Sequence, residues 1–153
     1  MKRLVFLTIL ASLVAASAAV AALTPSQYRA TLNGVCRGYT PKINAQERAM
    51  TAAKKANDGH AYGAAFGKLL VLTLAEDSKL ESIPVPLSLR ATMTPIFAAL
   101  KKADMHIRVA IFDAGTGDTK GMAAQLTAAA SVAKGLNAKL DAAGLRDCGS
   151  HQT

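Results

Sequence analysis

Residues Asp113 to Lys120, read as Asp-Ala-Gly-Thr-Gly-Asp-Thr-Lys, bring together the residue types that handle phosphate. Glycines admit close approach of backbone, two hydroxyls and a lysine stand ready to bind oxygen, and two carboxylates flank them. The spacing is not that of a P-loop, nor of an EF-hand loop with its three acidic positions and closing glutamate. Ile107, Val109 and Ile111 alternate before it as in a strand, yet Ile107 also fits a helical face running from Leu89 to Ala114. The segment from Met122 onward has helical periodicity. The stretch is therefore read as a turn, with a helix stop at Gly115 to Gly117 and Asp118 as the next N-cap.

The other reactive side chains form no constellation in the sequence. His60, His106 and His151 are scattered, and only Asp104 lies near one of them. Glu76, Asp77 and Glu81 make a small acidic patch, read as a solvated face with at most weak cation affinity. Ser, His and Asp are present without a nucleophile-elbow motif. The expected catalytic set, metal site and cofactor are accordingly none, and the chain is read as non-enzymatic. Gly59, Gly63 and Gly67 lie four apart and would line one helical stripe, expected to let another backbone pack closely. The cations Lys54, Lys55, Lys101, Lys102, Lys120, Lys134 and Lys139 are spread along the chain with few aromatics between them. That pattern suits no stacking platform for nucleic acid. It suits a diffuse attraction to anionic envelope polymers or lipid headgroups.

The amino terminus sets the expected compartment. Met1-Lys-Arg precedes an uncharged apolar run, and small residues recur at Ala19 and Ala21. These are the parts of a secretory signal peptide, residues 1–21, cleaved after Ala21 with Ala19 and Ala22 as rival sites. A retained membrane anchor is the competing reading, since the run is nearly long enough to span. Cleavage removes Lys2 and Arg3 and no acid, so the formal charge falls from +8 to +6. Residues 22–153 then form a single four-helix domain, long enough for one core and too short for two. At 51% hydrophobic residues the chain is expected to fold, and its many alanines favour closely packed helices.

Four amphipathic segments must position whatever these residues do. The first carries Tyr28, Leu32, Val35, Tyr39, Ile43, Met50 and Ala53, starting at Pro25 with Thr24 as N-cap. Pro41 predicts a kink, or a restart capped by Thr40. The second carries Tyr62, Phe66, Leu69, Leu70, Leu72, Leu74 and Leu80, and Pro84 and Pro86 then force extended backbone. The third runs from near Pro86 through Met93, Ile96, Leu100 and Ile107. The fourth carries Met122, Leu126, Ala129, Ala133, Leu136, Leu140 and Ala143 as one unbroken face, with Gly144 as its stop. Short connections between similar segments predict an all-α, antiparallel up-and-down four-helix bundle. Cys36 and Cys148 would meet in that order of helices, and two cysteines in an exported chain read first as a disulfide.

Two resemblances bear on function. The Asp113 to Thr116 core is similar to the phosphate-binding turn of sugar and acetate kinases, which implies an ATP site. That fold also implies several hundred residues and a hairpin continuation, neither of which fits, so no nucleotide partner is expected. The leader, Tyr28 and Cys36 on a first helix, the break at Pro84 and Pro86, and Cys148 past the last helix resemble small uncharacterised secreted helical proteins of actinobacteria. That likeness implies no activity. The expected function is a non-enzymatic, secreted or extracytoplasmic helical domain that binds or spaces components at the cell envelope. The alternative is a membrane-active basic protein associating with anionic lipid.

Overall fold

A computed structural model describes residues 23–149; the expected leader and His151 lie outside them. The described chain is all-helical. α1 spans Pro25–Lys55, α2 Gly59–Glu81, α3 Arg90–Thr116, α4 Thr119–Ala133 and α5 Leu136–Ala142, with one 3-10 turn at Leu87–Leu89. α1 packs along α2 and α3 along α4, while α2 meets α3 over a smaller area.

Local chemistry accounts for most of the boundaries. Thr24 caps α1 reciprocally: its hydroxyl accepts from the Gln27 amide at 3.2 Å, and the Gln27 side chain accepts from the Thr24 amide at 3.0 Å. α1 runs through Pro41 without interruption, so the expected restart does not occur. Thr40 is not a cap: its hydroxyl donates to the Cys36 carbonyl one turn back, at 2.8 Å. Asp58 caps α2 by accepting from Ala61 N at 2.9 Å. The Asp113 to Lys120 stretch is the expected stop and start. Gly117 takes the left-handed conformation at φ 80°, the Asp118 amide bonds the Asp113 carbonyl at 2.9 Å, and Asp118 then accepts from Gly121 N at 2.8 Å. A Cβ on Gly121 would lie 2.5 Å from Asp118 Oδ2 and 2.9 Å from Asp113 Oδ2. The glycine thus lets two carboxylates gather at the positive end of α4.

The fourth segment departs from expectation. It breaks at Lys134 and Gly135, where Gly135 adopts φ 76°, and α5 restarts at Leu136. Ala129, Leu136 and Leu140 keep their apolar phase across the break and remain buried. Periodicity therefore concealed it.

The main core gathers Tyr28, Leu32 and Cys36 of α1 with Met93, Ile96 and Leu100 of α3 and Leu136, Leu140, Leu145 and Cys148 of the last segment. Cys36 and Cys148 form a disulfide with Cα atoms 5.1 Å apart. The tail after α5 is fastened to α1 by polar contacts as well. Arg29 Nε donates to the Ala143 carbonyl at 2.8 Å, Asn33 Nδ2 to the Gly144 carbonyl at 3.0 Å, and Arg37 pairs with Asp147. Gly144, at φ 82°, leaves room for the Arg29 side chain, whose Cδ would stand 2.9 Å from a Cβ there. A second, smaller cluster holds Leu70, Ile107 and Ala129 against Phe66, Leu74 and Leu126.

Candidate functional site

Between the two clusters lies a cavity of about 380 Å³ to which all five helices contribute. Its existence follows from side-chain size. α4 presents Ala129, Ala130 and Ala133 where α2 presents Leu69 and Leu70, and alanine cannot fill the gap that a leucine would. The remaining wall is largely apolar, with Leu80, Leu100, Ile107, Leu136 and Leu140. Ile43, Glu47 and Asn137 line both this cavity and a cleft of about 740 Å³ beside α1, so the two adjoin. Arg48 and Lys55 stand along that cleft.

Two carboxyls of α2 open into the apolar cavity. Glu76 is 5% exposed and Asp77 is 7% exposed. The sequence reading placed both on a solvated face; the structure buries them. Asp77 follows Leu70 by seven residues and precedes Leu80 by three, so it holds an inward position of α2. Asp104 of α3, four residues after Leu100 and three before Ile107, is buried likewise. The Asp77 and Asp104 side chains hydrogen-bond each other. Two carboxylates have no proton to share, so this contact requires one of them to be protonated.

Asp77 is the one that holds it. Burial pushes its carboxyl up to about 8, reinforced by the hydrogen bond to Asp104 and by the negative charges of Asp104, Glu76 and Glu81. Burial also raises Asp104, while the bond from Asp77 and the charge of Arg108 draw it back down. Neither aspartate forms an ion pair with a described residue, whereas the neighbouring Glu81 pairs with Lys101 at 3.5 Å. Asp104 Oδ1 and Glu81 Oε1 are buried without a hydrogen-bond donor. Chemically, the arrangement can hold a proton near neutral pH or receive a positively charged group in an apolar setting.

The other candidates remain apart. His106 Nδ1 bonds Gln125 Oε1 at 2.7 Å and ties α3 to α4, while His60 is exposed at the start of α2. Among the described residues no three His, Cys, Asp or Glu side chains are placed to hold a metal ion. The glycine stripe does not receive a packed backbone. A Cβ at Gly59, Gly63 or Gly67 would meet nothing within 4 Å, and the stripe lines an open groove with Val71, Lys42 and Lys68. A feature that the sequence reading overlooked lies on the outer side of α3. Met105, Val109 and Phe112 fall at helical spacing and are 56%, 39% and 69% exposed, beside Lys101 and Lys102. No described helix is long and apolar enough to cross a membrane. No protein-family model, curated protein or solved structure matches this chain.

Proposed function

We propose that the protein is a non-enzymatic binding module exported to the cell envelope, which takes a small, largely apolar ligand between its helix pairs. The observation that carries this reading is the cavity of about 380 Å³, which adjoins the cleft beside α1. That volume falls within the range of small-molecule sites, and its mostly apolar wall with a few convergent polar groups is the usual composition of such sites. The helices are taken to run up and down in antiparallel order, an arrangement supported by the pairing of α1 with α2 and α3 with α4 and by the Cys36–Cys148 bond. Export is supported by the signal-like residues 1–21 and by that disulfide, which persists in oxidising compartments.

A small neutral naphthyl probe such as 2-naphthol tests the cavity. Its fluorescence should rise and saturate near one probe per chain, and Ala129→Phe, which fills the cavity from the α4 side, should abolish the rise. A linear, unsaturable signal unaffected by that substitution would refute the binding reading. A second reading, association with anionic lipid, is favoured by the outward stripe of Met105, Val109 and Phe112 beside two lysines. Co-sedimentation with phosphatidylglycerol vesicles tests it; recovery of Phe112→Ser equal to wild type would reject the stripe as the contact.

A further inference from the structure

We propose that the cavity selects a compact hydrophobic amine, whose ammonium group seats on the Asp77 carboxyl, which Asp104 backs from α3, while its hydrocarbon lies against the leucines and alanines of the opposite walls. This rests on the binding-module reading above and names the ligand class of that site. Four observations support it. Asp77 lines the cavity, is 7% exposed and makes no ion pair with a described residue. Asp104, 9% exposed, backs it from α3, and its Oδ1 finds no hydrogen-bond donor. Among the described residues no lysine or arginine lines the cavity to meet Asp77. Finally, about 380 Å³ leaves space for roughly a dozen non-hydrogen atoms at ~30 Å³ each.

An anionic amphiphile fits the same space poorly. Its carboxylate would face Glu47, Glu76 and Asp77, and like charges in an apolar setting repel strongly. A neutral alcohol would gain the apolar contact and one hydrogen bond. An ammonium gains charge-assisted hydrogen bonds to carboxylate oxygens, which are roughly twice as strong as neutral ones.

Binding carries a proton signature. With its carboxyl pushed up to about 8, Asp77 is mostly protonated at pH 7. An arriving ammonium, itself charged at that pH, favours the carboxylate; the Asp77 proton passes to the buffer and the ion pair remains. The groups facing Asp77 set this balance. Glu76 and Glu81 on α2 and Asp104 on α3 oppose its ionisation. Glu47 of α1 lines the same cavity, and Arg108 of α3 acts on Asp104. The cavity walls from α4 and α5 add no titratable side chain.

The test is isothermal titration calorimetry of the disulfide-bonded protein at pH 7 with n-octylamine, n-octanol and n-octanoate. Octylammonium should bind one to one and at least about tenfold tighter than octanol, as expected of a hydrogen bond to a charged group. Octanoate should bind most weakly. Heats measured in phosphate and in Tris should report release of close to one proton with octylammonium and none with octanol. Asp77→Asn should erase both the preference for the amine and the proton release, and Asp104→Asn should reduce the preference. Octanol binding as tightly as octylammonium overturns the amine assignment and leaves the binding module standing. So does a preference that survives Asp77→Asn. Should that variant not fold, absence of proton release in the unaltered protein overturns the assignment on its own. Failure of all three ligands while the naphthyl probe still binds sinks the amine; failure of the probe as well sinks the module with it.

Discussion

The surroundings of the disulfide and the surroundings of the carboxyl pair are built from the same helices by opposite means. Around Cys36 and Cys148 the side chains are large and sealed: Tyr28, Leu32, Met93, Ile96 and Leu145 are all 2% exposed or less. Hydrogen bonds from Arg29 and Asn33 and the bond between sulfurs secure the tail there. Around Asp77 and Asp104 the walls thin to alanine, a cavity opens, and two acids are buried without an ion pair. Further along α2 and α3, Val71, Ile111 and Phe112 stand exposed. One region concentrates stability, and the other gives up packing to keep space and charge available. Such a division is expected of proteins that hold a binding site open on a rigid support.

The contrast breaks most visibly at the disulfide. The bond joins residues 112 apart in sequence. On the chain-entropy model it removes about 4–5 kcal/mol of freedom from the unfolded chain. Replacing Cys36 and Cys148 together with serine should cost several kcal/mol in urea unfolding and lower the melting temperature markedly. Helical content in the cold should stay close to that of the parent, because the capped helices remain. A double variant as stable as the parent would show that the sealed region does not depend on its bond.

The carboxyl pair should make its region sensitive to pH. Asp77 is raised from 3.8 to about 8 on folding. Between those values the folded chain holds a proton that the unfolded chain has lost, so stability should fall as pH rises through the window and level off above it. The slope should approach the order of 1 kcal/mol per pH unit, the linkage of a single proton. Asp77→Asn keeps a donor toward Asp104 and removes the titration. It should flatten the profile and raise stability at pH 8. Denaturant titrations from pH 5 to 9 check this; a parent protein that gains stability toward pH 8 contradicts the assignment of the proton to Asp77.

Legibility in the sequence follows the same division. Caps and stops are short-range chemistry, and Thr24, Asp118 and Gly144 were readable because each acts on neighbours three or four residues away. The cysteine pairing was readable because there were two and no other partner. The site was harder. Asp77 and Asp104 sit at inward phases of their helices, a signal that is present in the spacing to Leu70, Leu80, Leu100 and Ile107. It was overridden by the general rule that acids are solvated, which fails where two carboxyls share a proton across helices. The glycine stripe was misassigned for a related reason: spacing shows which residues share a face, not what lies opposite. Gly135 broke a helix that its neighbours' periodicity carried straight through.

A smaller effect sharpens the account of the sealed region. Tyr28 is fully buried, and its hydroxyl has no hydrogen-bond partner among the described residues. Desolvation pushes that hydroxyl up to about 12. A buried unsatisfied polar group costs about 1–3 kcal/mol. Tyr28→Phe deletes it while keeping the ring, so the variant should be more stable by about 1 kcal/mol. A loss of stability instead would reveal a partner for the hydroxyl, such as a buried water.

The smallest expected change lies on the open side of α2. Gly67 is in the interior of that helix, exposed, and an added Cβ would meet nothing within 4 Å. Glycine in such a position costs up to about 1 kcal/mol against alanine, chiefly through the freedom it gives the unfolded chain. Gly67→Ala should therefore stabilise the isolated protein slightly, raising its melting temperature by a few degrees. Cavity binding of the naphthyl probe should be unchanged, because the groove lined by Gly63, Gly67 and Val71 lies between α1 and α2 and shares no lining residue with the cavity. Comparing melting curves at low and high protein concentration makes the result decisive. A gain at both concentrations means the stripe faces water. A loss that deepens with concentration means another backbone packs against the glycines in solution, and the open side of α2 is then a contact surface and not spare room.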